Sequence, residues 1–154
     1  MNVKATLSPD DLARACADAM WKDDAASAGL GMSIVDIGPG RATLSMTVQP
    51  HMVNGQRIAH GGFIFTLADS AFAFACNSHN EKAVAAQGNI TFIRSGRLGD
   101  RLVATAREIS RSGRSGIYDV RVTVGDEVIA EFRGHSRTIG GTWLPAGETG
   151  SRKK

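Results

Sequence analysis

The chain has 154 residues, 42% hydrophobic and 21% charged, with 18 glycines and only 4 prolines, which fits one small globular domain and excludes disordered, collagen-like and disulfide-stapled proteins. A formal charge of +3 suits an anionic small ligand as well as it suits nucleic acid. The two cysteines, Cys16 and Cys76, have no Cys or His at metal-ligand spacing, so they read as reduced core thiols.

The N-terminus reaches Asp10 and Asp11 without an apolar leader, so no secretory signal is expected and the protein reads as cytoplasmic. Ser8-Pro9-Asp10-Asp11 places a capping hydroxyl, a proline at the first helical position and an acid three residues after the serine. With Leu12, Ala15, Cys16 and Met20 following, this predicts a helix. It should end before residues 25–31, where small residues and two glycines signal a change of structure.

Residues 33–37 and the alternating Ala42, Leu44, Met46, Val48 flank Gly38-Pro39-Gly40 and read as a β-hairpin. Residues 50–59 have no clean period and read as a loop or short turn, and a loop leading into a buried helix often carries function. Residues 60–78 are apolar on nearly every face and rich in Ala and Phe, which predicts a helix surrounded by protein. The longest apolar run, Gly61 to Cys76, is too short to span a bilayer and holds a carboxylate, which excludes a membrane helix.

Four strands follow, at 84–94, 101–109, 117–124 and 128–138, the third with Tyr118, Val120, Val122 and Val124 on one face. Residues 96–100, 112–116 and Gly125-Asp126 carry hairpin-like turn chemistry. The expected fold class is therefore α+β: an antiparallel sheet of about six strands wrapped around one long central helix, with an N-terminal helix. Residues 1–141 form the single domain, and residues 142–154, ending Ser151-Arg152-Lys153-Lys154, read as a flexible tail.

Asp69 is the only formally charged side chain between Arg57 and Glu81, set mid-helix among Leu67, Ala68, Ala71 and Phe72. Removing a carboxylate from water without partners costs several kcal/mol, on the order of a few at least, and Asp is a poor helix former. Either Thr66, Ser70 or an arginine satisfies it, or it borders a cleft where desolvation raises its pKa and makes it a better base.

His60-Gly61-Gly62 stands at the helix start, where unpaired N–H groups and the positive dipole end can bind an anion or polarise a carbonyl. A plain tight turn explains two glycines equally well. Asp69 lies eight residues after Gly61, about 12 Å along the axis, and the backward tilt of the side chain recovers only part of that. If both groups act on one carbonyl, they come from different subunits of a two-fold dimer.

Beyond these physical readings, the chain resembles the hotdog-fold acyl-CoA thioesterases, most closely the PaaI type of phenylacetic acid degradation. The resemblance is carried by Val53-Asn54-Gly55, by the run from His60-Gly61-Gly62-Phe63 through Leu67-Ala68-Asp69-Ser70 to Asn77-Ser78, by Phe92-Ile93-Arg94 with Gly99-Asp100, and by Gly134-His135-Ser136 and Ile139-Gly140-Gly141. It implies dimers, commonly tetramers, with active sites at the dimer interface. It implies Asp69 as nucleophile or general base, the Gly61 N–H as the group that polarises the thioester carbonyl, and His60 and Asn54 as positioning residues. Ser70 would support the acid. Ser95 stands where the family commonly has a proline.

Coenzyme A belongs to the substrate, so no separate cofactor and no metal are expected. Its phosphates call for basic residues, and Arg94, Arg97, Arg111 and Arg114 lie at strand ends and turns suited to them. Gly62 would assist at the helix start. The expected substrates are aromatic acyl-CoA thioesters of phenylacetyl or hydroxyphenylacetyl type, although Phe63, Phe65, Phe72 and Phe74 serve a core as readily as a pocket. A non-catalytic acyl-CoA-binding or regulatory domain is the alternative. Nucleic-acid binding has only scattered arginines in its favour, with no stacking platform or basic helix.

Overall fold

The computed structural model describes residues 6–145. Helix α1 spans Pro9–Trp21, and the Ser8 side chain caps it by accepting from the Asp11 N–H at 3.1 Å. Its buried residues Ala13, Cys16 and Ala17 face the interior. The change of structure expected at residues 25–31 is a second, short helix α2, Ala25–Gly29. Asp24 caps it, accepting from both the backbone N–H and the hydroxyl of Ser27.

Strands β1 (Ser33–Gly38) and β2 (Arg41–Thr47) form the expected hairpin. A 3-10 turn, Pro50–Met52, and a bridge between Val53 and Ala59 organise the following loop. Helix α3 spans Gly61–Cys76. Strands β3 (Ala83–Phe92), β4 (Arg101–Ser112), β5 (Ser115–Val124) and β6 (Glu127–Thr138) complete one antiparallel sheet in the order β1-β2-β4-β5-β6-β3.

That order corrects one expectation. Residues 112–116 and Gly125-Asp126 do make hairpins, but residues 96–100 do not join neighbouring strands. β3 pairs with β6 at the sheet edge, so the chain must cross from that edge to β4 in the middle. The crossing is held by long-range backbone bonds: Ile93 N–H to Ile129, Ala59 N–H to Gly96, and Gly99 N–H to Val48. Turn chemistry records a local bend, not the strand that the bend delivers to.

The sheet curls around α3, whose Leu67, Ala68, Ala71 and Phe72 are essentially inaccessible. On β3 and β6, Gly88 and Gly134 are register partners. A Cβ at Gly134 would stand 2.8 Å from the Phe72 ring, and one at Gly88 would stand 3.0 Å from Phe132 and 3.5 Å from Phe65. The two glycines thus form a notch across the sheet that accepts aromatic rings of the helix.

Enclosure of α3 is incomplete. Gly62, Thr66, Asp69 and Ala73 follow a 4-3-4 spacing along one face, and all four retain exposure, which leaves one open stripe on a helix otherwise enclosed by protein. Strand β3 beside it is exposed along most of its length. Residues 142–145, expected to belong to the tail, are instead docked on the core, with Leu144 only 8% exposed. The remainder of that expected tail lies outside the described residues.

Candidate active site

The start of α3 is built by its own sequence. His60 is the N-cap, and its Nδ1 accepts from the Gly62 N–H at 2.9 Å, so the imidazole carries its proton on Nε2 when neutral. The His60 N–H donates to Met52 O at 2.7 Å. The imidazole therefore spends one nitrogen on the helix itself, and so does Gly62, whose N–H is consumed by the cap. The Gly61 N–H donates to no described residue, which leaves it as the open donor at the positive end of the dipole.

The Phe92 ring lies over Gly61, where an added Cβ would meet it at 2.8 Å and push the half-exposed ring aside. Asn54 closes the loop before the helix. Its Oδ1 accepts from the N–H groups of Gln56 and Ile58, which supports Arg57 at φ 62°. Asn54, Gly61, Phe92 and Arg94 together line a depression of about 380 Å³.

Asp69 opens into a different depression, of about 480 Å³, with Phe72, Ala73 and Cys76 of the same helix and Val84 and Ala85 of β3. Neither hydroxyl beside it in sequence reaches it. Thr66 Oγ1 donates back to Gly62 O at 2.8 Å, and Ser70 Oγ meets Ser27 Oγ at 2.9 Å. Ser70 does not support the acid as the resemblance implied, because consecutive helical residues point about 100° apart, and Ser70 faces α2 instead. No described arginine or lysine pairs with Asp69 either.

Burial pushes the Asp69 carboxyl above its ordinary range, with no hydrogen bond or opposite charge to offset it. Nearby, burial first and the Asp69 charge second push the Cys76 thiol up to about 12, so it stays protonated and is no nucleophile at neutral pH. The stripe thus offers one polar group without a described protein partner, and it is a carboxylate.

The four arginines divide between opposite ends of α3, which is about 24 Å long at 1.5 Å per residue. Arg94 borders the Gly61 depression, and Arg97 follows in the same exposed segment. Arg111 and Arg114 lie beyond the other end, beside Cys76. Arg114 donates to Thr138 O through Nε and Nη2, and Arg111 approaches Glu108 at 3.9 Å. Arg114 thereby ties the β4–β5 turn to the end of β6, while Arg111 pairs within β4, and within one chain the two lie at the opposite end of α3 from Arg94 and Arg97.

Three residues that spacing did not single out matter here. Asn77, 2% exposed, bonds Ala73 O and both backbone groups of Ala83, and Asn80, 6% exposed, accepts the N–H groups of Trp143 and Leu144. Trp143 lines the Asp69 depression. Their signal in the sequence was two asparagines closely following an apolar helix, of which Asn77 serves the orphan carbonyl of Ala73 and Asn80 gathers backbone N–H groups. Among the described residues, no three His, Cys, Asp or Glu side chains group as a metal site, and no helix is long and apolar enough to cross a membrane.

Comparison with known proteins gives a consistent pattern. The family model of the thioesterase superfamily matches residues 56–131, a span that includes all of α3. The acyl-coenzyme A thioesterase PaaI of Escherichia coli K12 is 44% identical over 127 residues, covering 82% of this chain and 91% of that protein. A putative esterase of Archaeoglobus fulgidus is 33% identical over 118 residues, 77% of each chain.

The solved structure of the E. coli PaaI protein from the phenylacetic acid degradation operon superposes with a TM-score of 0.86 at 42% identity, covering 88% of this chain and 99% of that one. A mutant of the phenylacetic acid degradation protein PaaI from Thermus thermophilus gives 0.72 at 33% identity, covering 73% and 97%. With its six-stranded antiparallel sheet around α3, the chain belongs to the hotdog-fold thioesterase superfamily, in which it is a thioester hydrolase of the PaaI type.

Proposed function

We propose that the protein hydrolyses aromatic acyl-CoA thioesters of phenylacetyl or hydroxyphenylacetyl type, at sites assembled from two copies of the chain. The observation that carries this reading is the Asp69 carboxylate: half-buried, raised in pKa, and without a described partner in its own chain. Binding alone gains little from such a group, which is why a regulatory acyl-CoA-binding domain is the weaker reading.

In the reaction, Asp69 takes a proton from water as the water oxygen attacks the thioester carbonyl carbon. Negative charge gathers on the carbonyl oxygen, where the Gly61 N–H and the helix dipole of the partner copy stabilise it. The tetrahedral intermediate then collapses, the C–S bond breaks, and the CoA sulfur leaves with the proton returned to it. Direct attack by Asp69 would instead give an acyl-enzyme anhydride hydrolysed in a second step. Labelled water in a single turnover identifies the anhydride route when water opens the anhydride at the Asp69 carbonyl, since that leaves label in Asp69 and the general-base route never does.

Distance and exposure support the pairing of copies. Asp69 and Gly61 open into different depressions of one chain, and eight helical residues separate them by about 12 Å. The exposed edge of β3 beside the open stripe offers a second copy a row of backbone groups to pair with. Homodimers, and homotetramers built from them, are the expected assemblies, with Arg94 and Arg97 near the phosphate end of the substrate.

The test is thiol release from phenylacetyl-CoA, run with Asp69→Asn, Asp69→Ala and a chelator. Release that depends on Asp69 and ignores the chelator is expected. Equal release from wild type and both variants would remove the basis of this reading. Mixed dimers of a Gly61-disrupted and an Asp69-disrupted chain should keep one working site, and complete inactivity of the mixture would exclude the shared site.

A further inference from the structure

The depression beside Asp69 has a direction. It follows α3 from Asp69 past Ala73 and Cys76 to Asn77, with the start of β3 as its other wall. Eight residues along the axis make it about 12 Å long. At the far end stands Trp143.

The indole is fixed rather than loosely laid there. Its Nε1–H donates to Asn77 Oδ1 at 2.9 Å, and its backbone N–H donates to Asn80 Oδ1 at 2.9 Å. Asn80 Oδ1 also accepts from the Leu144 N–H at 3.0 Å. The strand-like approach to this point is tied down by Ile139 N–H to Lys82 O and Lys82 N–H to Gly141 O, and the Lys82 ammonium lies 4.7 Å from the ring centroid. Both asparagines are buried and occupied, so ordering of the ring is already complete before any ligand arrives.

Between its ends the groove is lined mostly by carbon, from Phe72, Ala73, Val84 and Ala85, while the Lys82 ammonium at the far end lies against the indole. Asp69 supplies an unspent carboxylate at one end, whereas the amide of Asn77 at the other end is consumed within the protein. An acyl chain running away from a carbonyl near Asp69 meets apolar surface and stops at a rigid aromatic plate.

We infer that Trp143 is the specificity-determining residue of this enzyme: it closes the acyl groove at the end remote from Asp69 and so sets the largest acyl group accepted. The inference rests on Asp69 marking the carbonyl end of the bound substrate. It assigns the enzyme to acyl groups that fit within about 12 Å and against long chains.

Binding of non-hydrolysable analogues, in which a methylene separates the carbonyl from the CoA sulfur, tests this independently of catalysis. Calorimetry compares phenylacetyl-type and dodecanoyl-type analogues, the second a few carbons longer than the groove, on wild type, Trp143→Ala and Trp143→Phe. Removing the wall should shift the ratio of the two dissociation constants towards the larger ligand by on the order of tenfold, as pocket discrimination of a few carbons commonly does. Trp143→Phe should fall between, and kcat/KM for the matching thioesters should move in the same direction.

An unchanged ratio in both variants overturns the inference, as does failure of wild type to bind either analogue. If Trp143→Ala does not fold, Trp143→Phe carries the same criterion, and Ala73→Leu, which fills the groove midway, should shift the ratio the opposite way. Selective binding without hydrolysis would overturn the proposed reaction and leave the role of Trp143 standing.

Discussion

Two carboxylates flank the core and could hardly differ more. Glu108, on β4, accepts from Tyr118 OH at 2.8 Å and pairs with His79 Nε2 at 2.9 Å, with Arg111 beyond. Burial opposes its charge, but the hydrogen bonds from His79 and Tyr118 outweigh that and hold it below the usual carboxylate range. Asp69, on α3, has burial and nothing to offset it, and lies above that range. A carboxylate kept for structure is surrounded by donors; one without them is held at a cost that a reaction can explain.

The largest effect should come from removing the solitary acid. Asp69→Asn is expected to lower kcat/KM for phenylacetyl-CoA by roughly 10²- to 10⁴-fold, the usual contribution of a general base. Its thermal midpoint should stay level or rise, because an amide is cheaper to desolvate than a carboxylate. A drop in stability together with activity would erase the contrast.

Changing pH should separate the two acids by sign. The unfolded chain releases the Asp69 proton more readily than the folded one, so stability from this group is greatest at low pH. It declines as pH rises from 3.8 through the raised folded value. Glu108 behaves oppositely, stabilising above its ordinary 4.5 and losing that contribution as pH falls through the lowered folded value. Denaturant titrations of Asp69→Asn and Glu108→Gln across the acid range should therefore diverge in slope, while kcat/KM of wild type rises as Asp69 ionises.

Smaller effects belong to the satisfied groups. Tyr118→Phe removes one donor to Glu108 inside the core and should cost about 1–2 kcal/mol in denaturant unfolding, with kcat unchanged. Ser70→Ala breaks only the contact to Ser27 and should cost less than about 1 kcal/mol. A large loss of kcat in Ser70→Ala would return that hydroxyl to the acid's service and blur the distinction between Asp69 and Glu108.

Elements with a strong local signal were legible in sequence. The Ser8 cap, the β1–β2 hairpin, the apolar run of α3 and the alternation of Tyr118, Val120 and Val122 each fold as their period dictates. The solitary acid and its distance from Gly61 needed only helical arithmetic.

What escaped was decided by partners far away in the chain. The crossing at residues 93–100 depends on Val48, Ala59 and Ile129, and the docking of Trp143 depends on Asn77 and Asn80. The partners of Ser70, Arg111 and Arg114 within the chain, Ser27, Glu108 and Thr138, escaped for the same reason. Spacing finds candidates, but only tertiary neighbours say which are already occupied.

The notch made by Gly88 and Gly134 acts as a ruler for the helix. Phe65, four residues before Asp69, contacts the one, and Phe72, three residues after it, seats on the other. The close fit is that of Phe72 at Gly134, with Phe65 in ordinary contact over Gly88, so sliding α3 along the sheet would drive the Phe72 ring into the strand and carry the acid with it. Enlarging Gly134 would displace the reacting group without touching it, and a smaller ring at the matching helix position would be the natural compensation.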